Sequence, residues 1–433
     1  MRKRRVLVFP AGTEIGLEIH KSLQSCKEVE IFGGGQLVSH HALFTYDKYY
    51  VLPSIREEQW LESLVNLCQE ICIDYIFPAH DDVIVALARH QEVIPAKVLI
   101  PSLETCLVTR SKSLTYKKMA SAVCVPRLYT VETANTFPLI VKPDKGQGSQ
   151  GVQLVNNQQE LLIAISKVRE PIICEYLPHE EYTIDCFSDR EKGILFCGAR
   201  LRIDTRNGIA VHTYGVSLEE AQSIASRVQS ILELRGAWFF QLKRNAAGEL
   251  TLLEIAPRIA GSMSTHRVTG VNFPLLTIFE EERLALSILT NSGTIEVSRA
   301  LYNRYRHTIF FGTLYVDLDD TLILDNQVNT EIVQLIFQCI NQGKYVKLVT
   351  RHSSNLAETL IQYRLGGLFD KVIHLREGEP KSACISENDA IFIDDSFAER
   401  CEVSMTCGIP TFDCSMIELL IQQTKNPRTS KGA

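Results

Sequence analysis

Several short stretches of this chain combine residue types that could do chemistry. LYVDLDDTLI, residues 314–323, runs an apolar segment into Asp317, Asp319 and Asp320. Carboxylates this close repel one another and are rarely buried without a partner. Three later stretches add matching groups: LVTRHS carries Thr350, GEPKSA carries Lys381, and FIDDSFAE carries Asp394 and Asp395. A second set lies mid-chain. FPLIVKPDKGQGSQGV, residues 137–152, delivers Lys142 and then Gly146, Gly148, Ser149 and Gly151. Small residues let backbone N–H groups approach phosphate oxygens, and a lysine supplies a point charge beside them. ELTLLEIAPRIAGS, residues 249–262, ends an apolar strand with Glu254 and Arg258. Taken singly, the first stretch could be a solvated strand end and the second a flexible hairpin loop.

The elements around these residues fall into three segments. At 433 residues the chain is expected to form two or three domains of roughly 100–200 residues. In residues 5–101, strand-like RVLVF, EVEIF, YYVLP, DYIFPA and KVLIP alternate with helix-like Glu14–Leu23, Glu57–Ile73 and Asp82–Ile94. That order predicts a parallel sheet with helices on both faces. The turn PAGTEIG lacks the G-x-G-x-x-G spacing of a dinucleotide site, so Gly12 and Gly16 are read as serving the tight turn. Mixed α+β order follows from about Cys106 to Ser298. From about His307, βαβ order returns through TIFFGTLYVDL, a helix near 329–342, KYVKLVT, a helix near 354–364, KVIHL and AIFIDDS. The fold class is therefore α/β and α+β multidomain, with boundaries expected at 1–105, 106–300 and 305–433. The polar end QQTKNPRTSKGA is expected to fray.

Composition narrows the function. A net charge of −6 gives no basic footprint for nucleic acid. The start, MRKRRVLVFPAG, has the charge of a signal peptide, but its apolar run, Val6 to Phe9, is shorter than the about 7–15 residues needed and is stopped by Pro10. No stretch approaches the ~18–20 apolar residues that span a membrane. The 13 cysteines are scattered, without C-x-x-C or zinc spacing, and are read as free thiols. Cys68 and Cys72 are expected on the buried face of one helix. These features predict a cytoplasmic protein with no membrane or nucleic-acid partner.

The middle motifs, in order, carry a resemblance. TRSKSLTYKKMA, GQGSQG, ICEYLPHEEYTID, AWFFQLKRN and ELTLLEIAPRIAGS together resemble the ATP-grasp superfamily, most closely the branch of the carbamoyl-phosphate synthase large subunit. Residues 1–105 look like that family's parallel-sheet pre-ATP-grasp domain. By this resemblance Lys112 and Lys142 hold the nucleotide phosphates, and the loop with Gly148 and Ser149 is a lid over them. Glu175, Tyr176 and Leu177 form the adenine hinge, and Glu181 accepts from the ribose. Gln241 and Glu254 stand where Mg²⁺ ligands sit, and Arg258 where an arginine steadies the transferring phosphoryl. Positioned cations and oxygen ligands are what phosphoryl transfer with Mg²⁺ requires. One position departs from the family's Glu-x-Asn-Pro-Arg: here the run is Glu254-Ile255-Ala256-Pro257-Arg258, and an alanine side chain cannot ligate a metal.

The C-terminal motifs resemble the haloacid dehalogenase (HAD) superfamily. Asp317-x-Asp319-x-Thr321, Thr350, Lys381 and Asp394 occur in that family's order, and a parallel sheet would bring them to one crevice. The resemblance implies Asp317 as the nucleophile that becomes an aspartyl phosphate and Asp319 as general acid/base. It further implies Thr350 and Lys381 as phosphoryl-binding groups, and Asp317, Asp319 and Asp394 as the Mg²⁺ site. The gaps from Thr321 to Thr350 and from Thr350 to Lys381 leave no room for a cap, so a capless Rossmannoid domain is expected.

The two resemblances together imply a bifunctional enzyme. One half would be an ADP-forming, ATP-dependent carboxylate–amine (or carboxylate–thiol) ligase working through an acyl phosphate. The other would be a HAD phosphohydrolase acting on a phosphorylated substrate. The cofactors implied are ATP and Mg²⁺ (or Mn²⁺), the partners are small molecules, and a homodimer is left open. Arg200, Arg202, His266 and Arg267 could bind the substrate carboxylate or be plain surface charges. Ala256 supports a different arrangement, a HAD phosphatase regulated by a nucleotide-sensing, non-catalytic ATP-grasp half.

Overall fold

The computed structural model describes residues 2–421, so the stretch 422–433, expected to fray, lies outside the described residues. Packing divides the described chain into two compact units that meet in sequence between Tyr302 and Asn303.

The first unit begins with a five-stranded parallel sheet. From edge to edge its strands are Tyr49–Val51, Val29–Gly35, Arg4–Phe9, Tyr75–Pro78 and Lys97–Val98. The central strand carries Val6, Leu7 and Val8, each fully buried, which is why that run is apolar without alternation. The strand order reverses between Arg4–Phe9 and Tyr75–Pro78. Their carboxyl ends open into one crevice, which receives the turn Pro10–Thr13 and the residues from His80 onward. Thr13 caps the helix Glu14–Leu23 by accepting from Gly16 N–H. A Cβ at Gly16 would stand 2.5 Å from Ala11 O, so this glycine permits a close approach of helix to strand end, beyond serving the turn.

Several expected elements are shorter. Glu57–Ile73 is helical only over Trp60–Glu70, and Asp82–Ile94 only over Asp81–Arg89. KVLIP forms a strand at Lys97–Val98 alone. Cys72 does not share the buried helical face of Cys68: it lies past the helix end at φ 49 and is exposed, because the chain reverses there into the next strand. All 13 cysteines are free thiols.

A four-stranded antiparallel sheet, ordered Leu128–Tyr129, Pro171–Glu175, Leu139–Pro143, Gln153–Val155, carries the glycine-rich loop between its last two strands. The six-stranded sheet that completes the unit runs Leu250–Ala256, Gly236–Arg244, Glu181–Asp189, Gly193–Arg206, Ile209–Val216, Glu296–Ser298. Its two-residue period sorts side chains cleanly. Ile184, Cys186, Trp238, Phe240, Leu242 and Ile255 face one way and pack on Ile224, Ala225 and Val228 of the helix Glu220–Gln229. Thr183 pairs with Gln241, and Gln241 with Glu254, so the polar groups share the other face.

The second unit holds a five-stranded parallel sheet ordered Lys371–His374, Tyr345–Thr350, Thr313–Val316, Ala390–Ile393, Thr411–Phe412. The strand expected from Thr308 begins only at Thr313, and Phe310 is exposed. The helix Thr330–Asn341 buries Ile332, Leu335, Ile336 and Cys339 against this sheet's core. Among the described residues, no helix is long and apolar enough to cross a membrane.

Candidate active site

One cleft in the first unit gathers residues from five separate segments. Lys112 starts the helix Lys112–Met119, and Lys142 stands near the end of the strand Leu139–Pro143. These two line the cleft with the loop Gly146–Gln150, Glu175–Leu177, Glu181, Gln241, Lys243 and Glu254. Lys142 is buried and donates to Tyr116 Oη at 2.9 Å. Lys112 Nζ donates to Gly146 O at 3.1 Å, tying helix to loop. Burial pushes the Lys112 pKa down; Glu254 pulls it up and Lys142 reinforces the fall. Two half-desolvated ammonium groups so close favour a polyanion between them. The loop bends through positive φ at Gly148 (60), Ser149 (53) and Gly151 (73), and for Ser149 that conformation is uncommon. Such turns aim successive N–H groups at an anion.

Glu181 is held by Arg202 at 3.2 Å and Lys243 at 3.9 Å. Gln241 and Glu254 are cross-strand neighbours, offering an amide and a carboxylate oxygen side by side, a donor set that suits a hard divalent cation. Ala256, two residues on, presents its Cβ on the Glu254 face and offers no oxygen.

Arg258 lies apart from this set. It lines a smaller adjoining cavity that shares Lys112, Gly146 and Glu254 with the cleft. Its guanidinium is taken up by Asp81, at 2.5 Å from Nε to Oδ1 and 3.1 Å from Nη2 to Oδ2. Burial opposes both charges, but each partner outweighs it: Asp81 is held below the usual carboxylate range and Arg258 above its ordinary value. Two of the arginines considered for a substrate carboxylate are engaged elsewhere. Arg200 is buried in a two-bond pair with Asp185, at 2.7 and 3.0 Å, and Arg267 pairs with Glu18 at 2.7 Å. They are neither surface charges nor free cations.

Two family models match stretches of the chain that lie almost wholly in the first unit. "ATP-grasp in the biosynthetic pathway with Ter operon" matches residues 167–308, and "PylC-like, N-terminal domain" matches residues 11–99. The chain carries an ATP-grasp fold behind a PylC-like N-terminal domain. A D-alanine–D-alanine ligase of Fusobacterium nucleatum is 30% identical over 166 residues, which is 34% of this chain and 56% of that protein. The chain thus spans little more than half the length of that curated relative. Among solved structures, the biotin carboxylase domain of Hydrogenobacter thermophilus 2-oxoglutarate carboxylase, determined with MgADP and bicarbonate, superposes with a TM-score of 0.58 at 17% identity. The match covers 68% of this chain and 74% of that one. N5-carboxyaminoimidazole synthetase from Staphylococcus aureus with ADP gives 0.56 at 16%, over 67% and 81%. The L-amino acid ligase of Bacillus licheniformis gives 0.53 at 16%, over 64% and 74%. At these identities the ATP-grasp likeness is one of fold. Both family matches end by residue 308, so the second unit is read from its own residues.

In that unit three adjacent strands end together. Thr313–Val316 leads into Asp317, Tyr345–Thr350 ends on Thr350, and Ala390–Ile393 leads into Asp394. Lys381, on the turn Lys381–Cys384, reaches Asp394 Oδ2 at 2.6 Å and Asp317 Oδ1 at 2.8 Å. Asp317 Oδ1 makes this ion pair without an aligned hydrogen bond, and the buried Thr350 Oγ1 has no hydrogen-bond partner. Burial raises the Asp317 pKa to about 6, with Lys381 opposing and Asp394 adding to the rise. Burial works against the Lys381 ammonium, but Asp317 and Asp394 together lift its pKa.

The carboxylates that the structure brings together are not the three expected to hold a metal. Oxygen atoms of Asp317, Asp394 and Asp395 lie within 4.8 Å of one another. Asp319, expected among the ligands, instead sets its carboxylate against His352 Nδ1 at 2.8 and 3.0 Å, because the chain leaves the strand after Val316 and turns its side chain outward. Thr321 Oγ1 ties Asp395 into the group at 3.1 Å. The Asp394-Asp395 doublet was visible in the sequence, whereas His352 carried no signal. Asp320 is exposed at φ 56, so a left-handed turn, and not strand alternation, directs it away.

Proposed function

We propose that the first unit is an ADP-forming ligase. It would use ATP to activate a substrate carboxylate as an acyl phosphate, which an amine (or thiol) then attacks. The observation that carries this reading is the convergence of Lys112, Lys142, Gln241 and Glu254 with the glycine-rich loop on one cleft. In this reading Lys112 and Lys142 bind the phosphates, Gly148 and Ser149 cover them, and Glu175–Leu177 line the base. Glu181 meets the ribose. Gln241 and Glu254 would hold Mg²⁺, whose chemistry there is to neutralise phosphate charge. An enclosed cleft matters because water would consume an acyl phosphate.

The second unit we read as a capless, HAD-like phosphohydrolase. Asp317 attacks phosphorus, Thr350 and Lys381 hold the phosphoryl oxygens, and Asp319 moves the proton to and from the leaving group and water. Asp317, Asp394 and Asp395, whose oxygens the fold brings together, would hold Mg²⁺. Ala256 favours one further reading, in which the first unit binds nucleotide without turnover and regulates the phosphatase.

The experiment is a screen of carboxylate and amine pools for ADP formation, with phosphate release from an aryl phosphate followed in parallel. ADP formation that needs both pools supports the ligase. Nucleotide binding without ADP formation, beside an active phosphatase, would replace it with the sensor.

A further inference from the structure

We propose that His80, Asp81 and Asp82 are positioning residues for phosphoryl transfer: these three consecutive side chains of the N-terminal domain hold Arg258, Arg110 and the glycine-rich loop in place around the smaller cavity that adjoins the cleft. The inference rests on the ligase reading and deepens it.

The three residues occupy the crevice where the strand order of the N-terminal sheet reverses, at the start of the helix Asp81–Arg89. Each reaches a different part of the chain. Asp81 grips Arg258 through two parallel bonds, a fork geometry that sets the plane as well as the place of a guanidinium. Arg258 Nη1 donates to Ile259 O at 3.1 Å, and the guanidinium carbon lies 5.1 Å from the centre of the Phe239 ring, so its tilt is fixed too. Asp82 Oδ1 accepts from Arg110 at 2.8 and 2.7 Å, and Arg110 extends to Lys145 O at 3.3 Å beside the loop.

His80 meets the loop itself, its Nε2 lying 2.7 Å from the Gln147 side-chain amide. His80 Nδ1 already accepts from Asp82 N–H at 3.2 Å, so Nε2 carries the proton of the neutral ring. The Gln147 amide must therefore turn its oxygen to the ring. Burial keeps His80 in that neutral form, against the pull of Asp81 and Asp82.

Carboxylates beside a site built for a polyanion are a liability unless they do something. Here each is spent on an arginine, and the two arginines flank Lys112 at the smaller cavity. A displacement of about 1 Å in a group that stabilises a transition state can cost on the order of 100-fold in rate. A stray Arg258 would incur such a loss.

The test uses calorimetry on the full chain with MgADP alone and with MgADP plus aluminium fluoride, which mimics a phosphoryl group in transfer. Asp81→Asn should bind MgADP within about twofold of wild type but lose roughly 10–100-fold with aluminium fluoride present. Arg258→Ala should lose as much, and the double variant no more than either. Asp81→Glu, which keeps the charge, should recover part of the loss. In turnover, kcat for ADP formation should fall while KM for ATP holds. Asp82→Asn, at a carboxylate 38% exposed, should fold regardless and show a smaller loss in the same direction. The inference is overturned if both aspartate variants bind the mimic as wild type does while Arg258→Ala loses it. It is overturned equally if aluminium fluoride never tightens binding to wild type. A wild type that does not bind MgADP at all removes the nucleotide reading itself, and this inference with it.

Discussion

The two candidate sites differ in charge and in construction. The cleft of the first unit sets Lys112, Lys142 and Lys243, two of them stripped of much of their water, among Glu175, Glu181 and Glu254. The crevice of the second gathers Asp317, Asp394 and Asp395 around a single lysine. In the proposed reading one arrangement would be completed by a polyanion, the other by a cation and a phosphoryl group. Construction differs as well. The cleft draws on loops, a helix start and two sheets, so no single side chain holds it together. The crevice sits on three neighbouring strand ends, where in the proposed reading one carboxylate would serve as nucleophile and ligand together. Losses in the first should therefore be graded, and losses in the second near-total.

The largest expected effect tests the second site. Asp317→Asn keeps the shape and removes the nucleophile, so phosphate release from an aryl phosphate should fall to background while the fold survives. Asp319→Asn should slow release by roughly 10²–10⁴-fold, as expected for loss of a general acid and base. Asp320→Asn should change little. ADP formation should persist in all three unless the sites are coupled. An inactive Asp320→Asn beside an active Asp317→Asn would show the motif to be misregistered.

Next comes the graded side of the comparison. Lys142→Ala should weaken ATP binding by about 1.5–3 kcal/mol, the range of a hydrogen bond to a charged group. The Tyr116 hydroxyl would lose its 2.9 Å donor but keep its own bond to Leu253 O at 2.8 Å, so little stability should go with it. Phosphate release should be untouched. Unchanged ATP affinity in calorimetry would break the assignment of the cleft.

A subtler effect is expected at Ala256. Ala256→Asn puts an oxygen donor on the Glu254 face and should lower the Mg²⁺ concentration at half-maximal ADP formation. If the variant needs as much Mg²⁺ as wild type, another group already serves that position.

The smallest effect concerns a carboxylate outside both sites. Glu387 accepts from Lys347 at 2.5 Å and from the Tyr315 hydroxyl, and these bonds hold its pKa down to about 2. A depressed folded-state value stabilises above the unfolded pKa of about 4.3, and the gain is lost as pH falls toward about 2. With the side chain 30% exposed, the benefit should stay under about 1 kcal/mol. Denaturant unfolding of Glu387→Gln should show it at pH 7, shrinking from about pH 4 downward. A constant difference across that range would assign the effect to packing instead of charge.

What the sequence determined by itself was local. Uninterrupted apolar runs such as Val6–Val8 declare a buried parallel strand, because side chains on both faces must leave water. Lysines and glycines around residues 142–151, and aspartates after Leu314–Val316, mark candidate chemistry because charges set at the end of an apolar strand are costly to bury without a partner. Tertiary structure decided the partners. Arg258 and Asp81 are 177 residues apart, and only the crevice at the sheet's reversal point brings them to 2.5 Å. In sequence Arg200 could be a carboxylate-binding group or a surface charge, yet Asp185 on the neighbouring strand lets it be buried, since a charge leaves water only when its partner travels with it. Asp395 rather than Asp319 joins Asp317 and Asp394 for the same kind of reason. Spacing along a chain counts carboxylates, but the turn that follows Val316 sets which way each one points.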